Sequence, residues 1–141
     1  MFSVEKAKDM LYSKDYTCVI MGKDLLYTSK KRGVAPLLER YDSGVDYSGC
    51  VAADKVIGRG AAFMYILLGV KDIYVKVISQ PSLELLEKYN INVEYDELVP
   101  AIRNRDNTGF CPIETAVKGI ENLDEAMLRI REKTALLAQG K

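Results

Sequence analysis

The stretch AADKVIGRGAAFMYILLGVKDIYVKVIS, Ala52–Ser79, decides the fold. Gly49 to Ala53 reads as a short strand, and the run Lys55 to Leu68, closed by Gly69, reads as a helix apolar on nearly all sides. Ile73 to Ile78 is rich in β-branched residues and reads as a strand. Pro81 to Tyr89 follows as a helix with Leu83, Leu86 and Tyr89 inward, and Ile91 to Tyr95 returns as another strand. Alternation of this kind builds a β-α-β unit, whose central sheet needs helices on both faces.

Upstream, Val4, Ala7, Met10 and Leu11 share one face of a first helix with Ser3 at its cap. Thr17 to Met21 and Leu25 to Thr28 flank Gly22-Lys23-Asp24, the spacing and composition of a tight hairpin. A basic loop, Ser29-Lys30-Lys31-Arg32-Gly33, leads to a short helix over Val34 to Tyr41, with Pro36 in its first turn. Downstream, Asn104 to Gly109 is a loop, and Cys111-Pro112-Ile113-Glu114 reads as a helix start with Cys111 as cap and Glu114 as capping-box carboxylate. Leu123, Met127, Ile130, Thr134 and Leu137 then line a last amphipathic helix opened by Asn122. The expectation is an α/β chain forming a single domain over residues 1–141; periodicity alone leaves several three-layer sandwiches open.

Twenty basic and twenty acidic residues balance, so nothing attracts bulk nucleic acid. Histidine is absent altogether, which excludes a Ser-His-Asp triad, a Cys-His dyad and a His-ligated zinc. Cys18, Cys50 and Cys111 are odd in number and widely spaced, as in reduced thiols of a cytoplasmic protein. The longest apolar run, Ala61 to Val70, is about half a bilayer span, and charges interrupt the first twelve residues, so neither a membrane segment nor a signal peptide is expected.

Three segments, YTSKKRGVAPLLE (Tyr27–Glu39), Ala52–Ser79 as quoted, and DNTGFCPIE (Asp106–Glu114), closely resemble the family known as domain of unknown function 1893. The resemblance implies a three-layer α-β-α sandwich with a mixed sheet, in a zinc-less branch of the cytidine deaminase-like fold. A deaminase carries H-x-E at one helix start and P-C-x-x-C at the next, supplying three zinc ligands and a proton-shuttling glutamate. Set on that pattern, this chain offers Ala52-Ala53-Asp54-Lys55 and Gln80-Pro81-Ser82-Leu83-Glu84-Leu85. No zinc and no resident cofactor are therefore expected.

The implied cleft gathers Asp54, Lys55, Ser82 and Cys111. Cys111, a thiol at a helix cap, is the candidate nucleophile, with Asp54 as acid or base and Lys55 supporting it. Arg59, Ser82, Asp106, Thr108 and Glu114 are candidate ligand-binding residues. Gly58 and Gly60 admit close helix packing or close approach of a ligand, with Arg59 on its phosphate. The expected partner is a nucleotide or nucleoside-like small molecule, taken up either by a metal-independent enzyme or by a non-catalytic binding or regulatory module. Self-association into a homo-oligomer stays open.

Overall fold

The computed structural model describes residues 3–31, 33–102 and 112–139. The expected hairpin is present as β1 (Cys18–Gly22) and β2 (Leu25–Ser29), antiparallel, with Cys18 opposite Ser29 and Gly22 opposite Leu25. Lys23 and Asp24 alone make the turn, with Asp24 at a positive φ of 58°, a conformation that aspartate tolerates. Beyond it lie β3 (Val51–Ile57), β4 (Asp72–Ser79) and β5 (Asn92–Val99). β3 pairs antiparallel with β1 and parallel with β4, and β4 pairs parallel with β5, giving the order β2-β1-β3-β4-β5 in one mixed sheet.

One helix, α1 (Val4–Ser13), covers one face of the sheet, burying Ala7 and Leu11 against Val19, Val51, Ala53 and Tyr74. The Ser3 hydroxyl caps it by accepting from the Lys6 N–H at 3.2 Å. The opposite face carries α2 (Ala35–Asp42), α3 (Arg59–Leu68), α4 (Gln80–Lys88), α5 (Pro112–Ala116) and α6 (Leu123–Gln139). Their core is built from Ile20, Ala52, Phe63, Ile73, Leu86, Ile113 and Ile130, among others. The layers are therefore helix, sheet, helix, as the alternation of elements requires. Asn122 opens α6 as expected, its side chain accepting from the Glu125 N–H. Among the described residues no helix is long and apolar enough to cross a membrane.

Two boundaries differ from the sequence reading. The strand expected to stop at Ala53 runs on to Ile57: β1 and β4 hold it on both sides as far as Asp54, opposite Cys18 in one ladder and Val75 in the other, and β4 carries it on through Val56 and Ile57. A strand enclosed in this way reads as a continuous apolar run and merges in sequence with the helix that follows. Gly58, in extended backbone, separates the two as the N-cap of α3. β5 runs on to Val99, beyond the expected end at Tyr95. It is an edge strand, exposed along most of its length, so its backbone bonds to β4 set its extent and no buried stripe announces it.

Candidate functional site

A cleft of about 540 Å³ opens where the parallel strands end. Arg59 follows β3, Pro81 follows β4, and Pro100 and Ala101 follow β5, so three strand ends converge on one opening. In open α/β sheets this is where ligands bind, and the volume is that of a small-molecule site. α4 supplies Pro81, Glu84, Leu85 and Lys88, at the spacing of one helical face, while Glu114, Lys118 and Glu121 close the far side. Proline, leucine and alanine give it apolar walls. Three cations and three carboxylates balance around it.

Arg59, Lys88 and Glu121 are engaged with one another. The Arg59 guanidinium donates to the Val117 carbonyl at 2.8 Å and to Glu121 at 2.9 Å, and it lies over the Phe63 ring. Only 12% of its side chain is exposed. Lys88 meets the other oxygen of Glu121 at 3.2 Å, and the Gln80 amide donates to Glu84 at 2.9 Å. The two cations at Glu121 hold its carboxyl below the usual range, led by Lys88.

Glu114 reaches beyond its own helix, whose expected cap Cys111 lies outside the described residues. It crosses to α3 and accepts from the backbone N–H groups of Arg59 and Gly60. An anion is favoured there, since the first N–H groups of a helix have no partners within it and carry the positive end of its dipole. Burial nevertheless pushes the Glu114 carboxyl upward, with the Arg59 and Gly60 N–H groups and the Arg59 charge opposing the rise. The two glycines make this contact feasible. A Cβ on Gly58 would stand 2.9 Å from Glu114 Cδ, and a Cβ on Gly60 would collide with Ile113 Cγ2. The φ of Gly58 is −94°, so space rather than backbone conformation requires glycine. Close packing by the chain's own α5 accounts for the Gly58-Arg59-Gly60 pattern.

Asp54 and Lys55 do not stand at a helix start. Both lie inside β3, where successive side chains point to opposite faces. Asp54 faces α3, where Tyr65 donates to its Oδ2 at 2.6 Å and the Val56 N–H to its Oδ1 at 3.2 Å. The same Tyr65 hydroxyl lies 3.2 Å from Cys18 Sγ. Burial pushes the Asp54 carboxyl up to about 7 against these donors, and it drives the Cys18 thiol up as well. Lys55 faces the other side and pairs with Asp15 at 2.8 Å. Strand geometry therefore removes the expected Asp54–Lys55 pair.

Ser82 is fully buried, its hydroxyl 2.5 Å from that of Ser79, the α4 N-cap, so it is a structural polar group beneath the cleft wall. Cys111, Asp106 and Thr108 lie outside the described residues. Of the expected site residues, Arg59 and Glu114 come together. Glu84, Lys88, Lys118 and Glu121 were missed, although Pro81, Glu84, Leu85 and Lys88 at helical spacing carry the signal in the sequence. Lys30 and Lys31 of the basic loop are exposed, with Lys31 near Glu39 and Lys30 over the Tyr16 ring. Among the described residues no group of three His, Cys, Asp or Glu side chains is placed to hold a metal.

A search of the curated proteins gives no match. The crystal structure of a DUF1893 family protein (TM1506) from Thermotoga maritima is similar, with a TM-score of 0.80 and 27% identity over 96% of this chain and 88% of that one. The family model described as domain of unknown function (DUF1893) matches residues 6–134, nearly the whole sequence, and the chain belongs to that family.

Proposed function

We propose that the chain is a small-molecule binding module on a zinc-less deaminase-like frame, and that its cleft between α4 and α5 takes a nucleoside-like ligand. The observation that carries this reading is the convergence of three parallel strand ends on an apolar-walled, charge-rimmed cleft of about 540 Å³. The order helix, hairpin, helix, then alternating strands and helices supports the deaminase-like frame. Zinc does not fit it. The starts of α2, α3 and α4 read Val34-Ala35-Pro36, Gly58-Arg59-Gly60 and Gln80-Pro81-Ser82, without a thiolate or imidazole among them.

Binding is favoured over catalysis by the state of the lining groups. Arg59, Lys88, Glu121, Glu114 and Glu84 each hold a partner in the fold, and Asp54, the carboxyl raised to about 7, does not line the cleft. Differential scanning fluorimetry with a panel of nucleosides tests the reading. A ligand at about 100 times its Kd adds roughly 2.7 kcal/mol to stability. Ala101→Trp, which fills the cleft, should abolish the shift. A panel without effect on the native chain, or a shift that survives Ala101→Trp, removes this assignment.

A further inference from the structure

Glu114 bears on what the cleft refuses. Among the described residues, the N-terminus of α3 is the point on the lining where backbone N–H groups and a guanidinium converge, the arrangement by which proteins ordinarily hold phosphate. Here a carboxylate of the same chain already occupies it, bonded to the Arg59 and Gly60 N–H groups. The guanidinium of Arg59 is turned to Val117 and Glu121. Two positions without a Cβ let α5 sit this close, so the occupancy is built into the backbone.

We infer that Glu114 is a specificity-determining residue that makes the cleft select an uncharged ligand and reject its phosphorylated form. This rests on the small-molecule reading of the cleft. A phosphate entering beside Arg59 meets a fixed negative charge at van der Waals range, and the N–H groups that should receive it are already bonded. Displacing Glu114 leaves a half-buried carboxylate without its donors, a cost the incoming anion has to offset. An uncharged nucleoside meets neither penalty, and Arg59 and Lys88 on the wall are both held by Glu121. Removing the carboxylate reverses the preference: the α3 N–H groups fall vacant beside Arg59 and become an anion seat.

The test is a thermal-shift and calorimetric titration of the native chain and of Glu114→Ala with adenosine, cytidine, their 5′-monophosphates and inorganic phosphate. The native chain should take a nucleoside and show no response to the monophosphate beyond that to inorganic phosphate. Glu114→Ala should bind the monophosphate on the order of tenfold or more tighter than the native chain does, the gain expected from a charge-assisted hydrogen bond. A native chain that binds monophosphate as tightly as nucleoside overturns the inference and leaves the cleft reading intact. A folded Glu114→Ala that gains no affinity for monophosphate overturns it too. If nucleosides fail on the native chain while Glu114→Ala gains monophosphate binding, the cleft reading falls and the role of Glu114 stands. Should Glu114→Ala not fold, Glu114→Gln, uncharged and of equal size, must show a smaller gain, and no gain there is equally decisive against it.

Discussion

Glu114 accepts from the backbone N–H of Arg59, and the Arg59 side chain returns the contact by donating to the Val117 carbonyl three residues beyond Glu114. The two residues thus clasp α3 to α5 in both directions, one through main chain and one through side chain. The clasp sits at the edge of the cleft, so the contacts that fasten α5 also shape the site.

The clasp predicts an inverted glycine effect. Alanine in a helix is ordinarily favoured over glycine by about 1 kcal/mol. At position 60 the new methyl meets the β-branched side chain of Ile113, and overpacking a filled core costs about 1–3 kcal/mol. Gly60→Ala should lower the urea midpoint at unchanged slope, and Ile113→Ala added to it should cost less than the sum of the two single changes. A neutral or stabilising Gly60→Ala contradicts the packing.

The hairpin, the α1 cap, the buried α3 and the α6 start were legible because each rests on local chemistry: Asp24 in a two-residue turn, the Ser3 hydroxyl, an all-apolar run, the Asn122 side chain. The site was legible only in part. Arg59 and Glu114 were marked as separate candidates, and their contact spans 55 residues that no periodicity encodes. Asp54 and Lys55 were misplaced because a strand paired on both sides looks in sequence like the start of the helix after it. Tyr65 escaped notice although it is a hydroxyl in an otherwise apolar helix face, and a buried tyrosine needs a partner.

Arg59 should behave as a structural cation rather than a surface charge. Arg59→Met keeps much of the stem and removes the guanidinium, leaving the Val117 carbonyl with the Ile120 N–H alone and Glu121 with Lys88 alone. Loss of a partly buried charge-assisted bond costs about 1.5–3 kcal/mol. Arg59→Lys should recover little, since an ammonium cannot reach two acceptors in the guanidinium's fork geometry. Chemical unfolding of the three proteins checks the order native, lysine, methionine, and full recovery by lysine contradicts it.

Cys18 and Cys50 should resist alkylation in the native chain. Both are buried, and burial raises both thiols, so the reactive thiolate is scarce. A short iodoacetamide pulse near neutral pH, followed by peptide mapping, should find both largely unlabelled and find them labelled after unfolding in urea. Rapid labelling of Cys18 in the folded chain contradicts its place beneath Tyr65.

Asp54 gives the fold a pH dependence whose sign is fixed by its burial. Its carboxyl is raised from 3.8 to about 7, chiefly by loss of hydration, so the folded chain binds this proton more tightly than the unfolded chain does. The contribution to stability is complete below pH 3.8 and fades as pH rises through about 7. A single proton accounts for up to about 1.4 kcal/mol per pH unit within that window. Asp15, Asp42 and Glu121, whose carboxyls are lowered by their cationic partners, contribute the opposite slope on the acid side, and Glu114, raised by burial, contributes in the same direction as Asp54. All four are common to the native chain and to Asp54→Asn, which keeps an acceptor for the Tyr65 hydroxyl and cannot ionise. The difference between the two proteins therefore isolates Asp54. Urea midpoints across the acid-to-neutral range should show the native chain losing stability relative to Asp54→Asn as pH rises. Parallel curves, or a native chain that gains on the variant with rising pH, would mean that the Asp54 carboxyl is hydrated rather than enclosed by Tyr65.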